Sequence, residues 1–474
     1  MKRASGVLLH ISSLWGDYGC GSLGENAKGF IDFLYRSGFS YWQVLPFCLP
    51  DEFNSPYKSY SAFSLNPFFI DLPLLFKEGL ITKDELEKAK QLSPHLCEFS
   101  RREERLELLK EASKRFDISK ADSFFNTHPH SEKYCEFMAR KKANDGKVWQ
   151  EWENDNINEE ELILRKFTEY IFFTQWLEIK SYANSKGIKI IGDVPIYVSL
   201  DSADVWENPK NFLLDKRKLP TSVAGVPPDY FSEDGQLWGN PLYNWKEMKK
   251  DSYQWWCDRI SFMCEMFDGV RIDHFRGLES FFSIPSKDTT AKNGRWVKGP
   301  GMSLIKAIKN VSQNNLIIAE DLGDITPAVN KLVEDSSFPG MKVLQFGFLG
   351  DSDSPHLPHN YKNHSVAYTG THDNNTLLGY VWELSEDKRK ALLDYFGYAG
   401  QNWDECYDTI LRQMLASSAG LVIFPLQDIL KYGSDTRLNT PGSCDKNWAY
   451  RVTKEQLDRV DTNKFKYWNI LYSR

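Results

Sequence analysis

Eight short apolar, β-branched runs punctuate this chain, and helical patterns fall between them. The runs are GVLLHI (6–11), YWQVLP (41–46), IKIIGDV (188–194), GVRID (269–273), LIIAE (316–320), KVLQF (342–346), SVAYT (365–369) and LVIFP (421–425). Gly, Pro or polar residues bound each one, which marks strands. They are near-continuous apolar stretches rather than alternations, as strands covered on both faces are. ENAKGFIDFLYRSG (25–38) follows the first run and closes on Gly38, a helix-stop signal. FTEYIFFTQWLEIKSYANSKG (167–187) and MSLIKAIKNVSQ (302–313) precede the third and fifth runs. Strands alternating with helices predict an α/β chain with parallel crossovers, and eight of them suit a (β/α)8 barrel. A doubly wound open sheet shares the alternation, because a strand count does not establish closure.

At about 150 residues per domain, 474 residues would make three domains. Barrels run past about 250 residues as one unit, however. One barrel over 1–474 with large insertions accounts for the two long gaps. Within the gap between the second and third runs, KDELEKAKQL and SRREERLELLKEASKRF read as exposed helices, and 75–166 is expected to be a mainly helical inserted subdomain. The gap between the third and fourth runs contains VAGVPPDYFSEDGQLWGNPLYNW. A structured loop of this length and Pro, Gly, Asp and Trp content commonly covers an active site, so 200–250 is expected to do so.

Several function classes fall away. The net charge of −7 argues against a phosphate-backbone partner, so no nucleic acid is expected. Eight Cys without a CxxC pair form neither a disulfide scaffold nor a zinc ribbon, and fit reduced thiols in the cytoplasm. The start, MKRASGVLLHISSLWGDYG, lacks a signal h-region, and no run approaches 18 apolar residues, so no membrane is expected. Gly19, Gly21 and Gly24 spell GxGxxG ahead of a helix. But SSLWGDY separates Ile11 from Gly19, and the second strand has no acid at its tip, so a dinucleotide is not expected. His356, His359 and His364 lack a matching carboxylate or Cys cluster, and no metal is expected.

The chemistry lies in the acids. Asp193, Asp273 and Glu320 fall at or near strand C-termini, and Asp373 follows the seventh strand. That rim of a barrel is where catalytic residues sit. Arg271 and Asp273, two apart on a strand, face the same way, and a guanidinium beside a carboxylate keeps it ionised. A buried structural ion pair has the same signature. Glu320 ends an apolar run, where partial burial and neighbouring acids raise a carboxyl pKa. An ionised and a protonated carboxyl together are what retaining glycoside cleavage needs. Asp321 is better suited to a structural role. His372 and Asp373 offer a donor and an acceptor to sugar hydroxyls. No GxSxG elbow supports a Ser/His/Asp hydrolase instead.

At these residues the chain resembles a family. NSPYKSYSAFSLNPFFIDL, IIGDVPIYVSLDSADVW, AGVPPDYFSEDGQLWGNPLYNW, FDGVRIDHFRG, IIAEDLG, YTGTHDNNT and FPLQDIL are similar to the amylomaltases. These are 4-α-glucanotransferases of glycoside hydrolase family 77, in the α-amylase clan. The resemblance runs from Ser5 to about Arg451 and implies a closed barrel. It implies Asp273 as nucleophile, Glu320 as acid/base and Asp373 as transition-state stabiliser. It implies Arg271 as support for the nucleophile, His372 as a sugar ligand and Asp193 as a shaper of the site. Ser55, Tyr57, Asp229, Gln236, Trp238 and Asn439 are implied as further substrate contacts. CLPDEF, before NSPY, departs from the Gly-rich PLGPTG-like form common in relatives. The implied partners are an α-1,4-glucan donor and a glucose or maltooligosaccharide acceptor, with no cofactor. A hydrolytic α-amylase-like enzyme and a glycan-binding protein without activity are the alternatives.

Overall fold

The computed structural model describes residues 1–50, 54–228, 233–398, 400, 403–443 and 446–474. Twelve strands are present among them: β1 (Ala4–Leu8), β2 (Tyr41–Gln43), β3 (Lys189–Val194), β4 (Ser222–Val226), β5 (Gln236–Pro241), β6 (Gly269–Ile272), β7 (Ser280–Pro285), β8 (Arg295–Lys298), β9 (Leu316–Ala319), β10 (Gly340–Val343), β11 (Ser365–Tyr368) and β12 (Leu421–Pro425). Eight of these close a barrel in the order β1-β2-β3-β6-β9-β10-β11-β12, with β12 pairing back onto β1. Every pairing in it is parallel. Closure removes the open-sheet alternative.

The near-continuous apolar runs have a plain cause. Alternate side chains point to opposite faces of a strand, and here both faces are dry. Ala4, Leu8, Ile191, Ile318, Met341, Val366, Tyr368, Leu421 and Ile423 form an inner cluster that fills the barrel. The residues between them, including Val7, Ile190, Val270, Ile272, Ile317, Ala367, Val422 and Phe424, pack outward into the larger core beneath the helices. The inner cluster is roofed by polar groups: Tyr368 donates its hydroxyl to Gln43 Oε1 at 3.0 Å, and the Arg271 Nε–H meets Met341 Sδ at 3.4 Å.

Several strands end sooner than their apolar runs, and at two of these ends a histidine accepts a backbone N–H. The first run extends to Ile11, but β1 stops at Leu8 and Ile11–Ser13 form a tight turn. His10 Nδ1 accepts the backbone N–H of Leu45 at 3.2 Å, which draws the chain out of the ladder. The sixth run extends to Phe346, but Leu344–Gly347 is a helical turn. There the N–H of Val343 goes to His356 Nδ1 at 3.1 Å, so pairing ends.

Helix Glu25–Arg36 follows β1 and stops where Gly38 takes φ +73°, its N–H donating to Tyr35 O. Its N-cap is Gly24, the last Gly of the GxGxxG pattern. A Cβ there would lie 2.1 Å from Asp71 Oδ2, so this Gly serves close packing. Between β2 and β3 the chain forms helices Leu72–Lys77, Lys83–Lys88, Arg102–Lys114, Asp122–Thr127, Pro129–Ala143 and Glu159–Ser185. The last packs on helix Glu25–Arg36 and buries Phe172 and Trp176. Trp42 and Trp176 are packing residues: both are fully buried, and Trp176 Nε1 donates to Met266 O.

A second sheet, antiparallel in the order β5-β4-β7-β8, has no counterpart in the predicted strands. The excursion after β3 supplies β4 and β5, and the excursion after β6 supplies β7 and β8. Loops leaving neighbouring barrel strands are thus joined into one platform. Among the described residues, no helix is long and apolar enough to cross a membrane, and no group of three or more His, Cys, Asp or Glu could hold a metal ion.

Candidate active site

Register builds the site. Asp193 of β3 pairs with Arg271 of β6, so the two side chains leave adjacent strands on the same face at the C-terminal end of the barrel. Arg271 Nη1 donates to both oxygens of Asp193, at 2.8 and 2.6 Å. The Tyr57 hydroxyl adds a third bond to Asp193 Oδ2 at 2.7 Å. Asp193 has no exposed side-chain surface and is spent on holding Arg271 and Tyr57 in place.

The other guanidinium nitrogen serves the acids at the next strand tips. Nη2 donates to Asp273 Oδ1 at 3.0 Å and stands 3.7 Å from Glu320 Oε2. Glu320 Oε2 accepts the backbone N–H of His274 instead. That N–H is aimed by the left-handed backbone of His274, φ +46° and ψ +47°, immediately after Asp273. Burial raises the pKa of both carboxyls and Arg271 opposes the rise; Asp193 and Asp373 push Asp273 further up, and Asp273 pushes up Glu320. Asp273 is raised to about 7 and Glu320 to about 8, and of these two acids Nη2 hydrogen-bonds only Asp273. The hydrogen bonding favours Glu320 over Asp273 as the place for a proton that the pair retains.

Asp373 reaches the site from the loop after β11. Asn439 Nδ2 donates to its Oδ1 at 2.6 Å, and Arg437 Nη2 donates to its backbone carbonyl at 2.6 Å. His372 Nε2 lies 3.4 Å from the same Oδ1. The His372 ring stacks on Tyr57, with centroids 5.1 Å apart and planes 14° from parallel, and Trp448 lies against both rings. Burial lowers the His372 pKa, with Arg271 adding to the fall and Asp373 and Asp193 working against it. His10, packed nearby, is pushed down to about 3 by burial and by His372.

Of the residues singled out in the sequence, Asp193, Arg271, Asp273, Glu320, Tyr57, His372, Asp373 and Asn439 thus form one connected group. Gln236 and Trp238 form a second group on β5. Trp238 Nε1 donates to Gln236 Oε1 at 3.1 Å, and the indole meets the His274 ring edge-on at 4.9 Å. Ser55 is not drawn to the acids: its hydroxyl accepts the backbone N–H of Tyr57. Asp229 lies outside the described residues. Asp321 has the structural role expected of it, accepting the Met341 N–H at 2.6 Å and pairing with Lys342. His274, Arg437 and Trp448 were not singled out. His274 adjoins Asp273, and Arg437 precedes Asn439 by two, so proximity to named residues was the available signal. Nothing in KNWAY marks Trp448.

The 4-alpha-glucanotransferase model of glycoside hydrolase family 77 matches residues 9–457. The chain belongs to this family. The 4-alpha-glucanotransferase of Clostridium butyricum is 41% identical over an alignment covering 98% of this chain and 100% of that one. That of Synechocystis is 41% identical, covering 100% and 98%. A solved amylomaltase of Streptococcus agalactiae, in complex with acarbose, superposes with a TM-score of 0.95 at 37% identity, each chain fully covered. The barrel with insertions is therefore the amylomaltase fold, and the resemblance read from the motifs extends over the three-dimensional structure. The acids at the mouth lie on β3, directly after β6, directly after β9 and in the loop after β11, in chain order.

Proposed function

We propose that this 4-alpha-glucanotransferase moves a segment of an α-1,4-glucan to the 4-OH of glucose or a maltooligosaccharide by a retaining double displacement. The observation that carries this reading is the unequal sharing of Arg271: Nη2 bonds Asp273 at 3.0 Å and leaves Glu320 at 3.7 Å. An ionised carboxylate then stands beside a protonated one, both flanking a single nitrogen.

Glu320 gives its proton to the leaving glycosidic oxygen while Asp273 attacks C1 from the opposite face. The C1–O4 bond breaks, a covalent β-glucosyl ester forms, and the leaving glucan departs with its 4-OH restored. Glu320, now a carboxylate, takes the proton from the 4-OH of an acceptor. That oxygen attacks C1, Asp273 is released, and an α-1,4 bond is remade. Asp373 accepts hydrogen bonds from sugar hydroxyls that tighten as the ring flattens toward an oxocarbenium ion. Neutral His372, stacked on Tyr57, offers a donor without adding a positive charge beside that cation. Trp238 supplies a flat face for an acceptor sugar beside His274, whose N–H holds Glu320. Free thiols at the seven described cysteines fit a reducing, cytoplasmic setting.

Maltotriose alone tests this. Transfer yields glucose and a ladder of longer maltooligosaccharides at constant total reducing ends. Rising reducing ends without the ladder would replace transfer by hydrolysis. Asp273→Asn should abolish turnover while the protein still folds, and near wild-type turnover would remove its nucleophilic role. Acarbose, the ligand in the Streptococcus agalactiae structure, should compete with maltotriose.

A further inference from the structure

Asp428 is a buried acid that the proposed chemistry does not use. It lies in the turn after β12, within FPLQDIL, between Leu426 and Ile429, all three buried. Its residue has no exposed surface, and among the described residues it forms no ion pair. A carboxylate held in such a place is costly unless its oxygens are bonded. Both are. Oδ2 accepts the Thr369 hydroxyl at 2.5 Å, and Oδ1 accepts the backbone N–H of Leu377 at 2.7 Å.

Those donors sit at the two ends of one loop. Thr369 follows β11 directly, and Leu377 opens the helix Leu377–Glu383. Between them lie His372 and Asp373. A single carboxylate therefore closes the base of the loop that presents both side chains to the site. The same chain segment grips the loop near its tip, through Arg437 on the Asp373 carbonyl and Asn439 on the Asp373 carboxylate. Inside the loop, Asn374 Oδ1 accepts from the backbone N–H and the hydroxyl of Thr371, which stiffens the turn between these anchor points.

We infer that Asp428 is a positioning residue for transfer: by tethering Thr369 and Leu377 it fixes where Asp373 and His372 stand. The inference rests on the proposed role of Asp373. It acts through geometry, and misplacing a reacting group by about 1 Å can cost about 100-fold in rate. It predicts a loss in kcat with little change in substrate affinity.

The test compares Asp428→Ala, Asp428→Asn and Thr369→Val with wild type on maltotriose, with a thermal melt of each. The amide of Asn can accept the Leu377 N–H and donate to the Thr369 oxygen, so it keeps both tethers and loses only the charge. Asp428→Ala should lower kcat about 10- to 100-fold with KM within about threefold. Asp428→Asn should return kcat to within about threefold of wild type, and Thr369→Val should fall between. Wild-type kcat in a folded Asp428→Ala would overturn the inference. So would an Asp428→Asn as impaired as Asp428→Ala, because charge and not tethering would then matter. Should Asp428→Ala fail to fold, Thr369→Val decides: wild-type kcat there overturns it. Asp373→Asn is run in parallel. If it stays active, the reading of Asp373 fails. If it is inactive while Asp428→Ala is not, the positioning role alone fails.

Discussion

Replacing Arg271 by Lys keeps the charge and removes the fork. Arg271 Nη1 bonds both Asp193 oxygens at 2.8 and 2.6 Å, and Nη2 bonds Asp273 at 3.0 Å. One ammonium cannot span both acids. It will stay with Asp193, which has no exposed side-chain surface and cannot turn to water, whereas Asp273 is 26% exposed. Asp273 then loses its charge-assisted hydrogen bond, worth about 1.5–3 kcal/mol. At 1.36 kcal/mol per pKa unit, its pKa rises by about one to two units. In the proposed mechanism Asp273 works as the ionised form, which exists above its pKa. The acid limb of kcat/KM against pH therefore moves to higher pH by about one to two units, and activity on that limb falls about 10- to 100-fold. The buried pair with Asp193 survives, so the melting temperature should change by only a few degrees. Glucose release from maltotriose across pH, with a melt at each pH, measures both. An acid limb that does not move, or a loss equal at every pH, would refute the assignment of Asp273 as the carboxylate that Arg271 keeps ionised.

Asn439→Ala removes the 2.6 Å bond to Asp373, so kcat/KM for maltotriose should drop about 10- to 100-fold, corresponding to about 1.5–3 kcal/mol; an unchanged value would separate Asn439 from Asp373 function. Trp238→Ala should favour water over the acceptor, seen as more new reducing ends per transfer event, and an unaltered ratio would exclude Trp238 from acceptor binding. His130 supplies a stability prediction. Burial lowers its pKa, but Asp258 at 3.1 Å and Glu207 at 3.5 Å raise it more, to about 9 against 6.5 unfolded. Its contribution, about 3 kcal/mol with the side chain mostly shielded, is complete below pH about 6.5 and lost as pH rises through about 9. The difference in melting temperature between wild type and His130→Asn should accordingly be widest near pH 6 and shrink by pH 9.5, and a constant difference would show that the ion pairs carry none of it.

The barrel was legible because two physical rules agreed at each strand. Both faces are dry, so the runs are apolar throughout, and the acids interrupt them only where the strand meets the mouth. Asp193, Asp273 and Glu320 were found for that reason. The second sheet was not legible. Three of the four residues of β8, Arg295–Lys298, are exposed, and the excursion holding β4 and β5 carries the Gly and Pro of a loop. Those strands are specified by pairing with each other across a long stretch of sequence, and a local pattern cannot show that. The same holds for Trp448, which meets Tyr57 and His372 from far along the chain. Ser55 shows what a motif alone leaves out: its hydroxyl accepts the backbone N–H of Tyr57, a contact the motif did not announce. His274 was passed over because its contribution is a backbone N–H, which has no side-chain signature.

The charge balance at the mouth links these pieces. Asp193, Asp273 and Glu320 converge on one guanidinium, so three carboxyls face one cation. A neutral sugar brings no charge to correct the imbalance, and the apolar cluster below it admits no counterion. The excess is relieved in part by one retained proton, and Glu320 is where the hydrogen bonding leaves room for it. In the proposed mechanism that proton passes to the glycosidic oxygen, and Glu320 becomes negative just as C1 becomes positive. On that proposal the charge surplus of the resting enzyme would stabilise the oxocarbenium-like state, and the ester bond from Asp273 would discharge it. Arg271 must therefore be positive enough to hold Asp273 ionised yet be shared enough, with Asp193, not to ionise Glu320 as well. Nη1 shared between both oxygens of a fully buried Asp193 meets both conditions, which is the function the proposal gives that third acid although it need not touch the reacting bond.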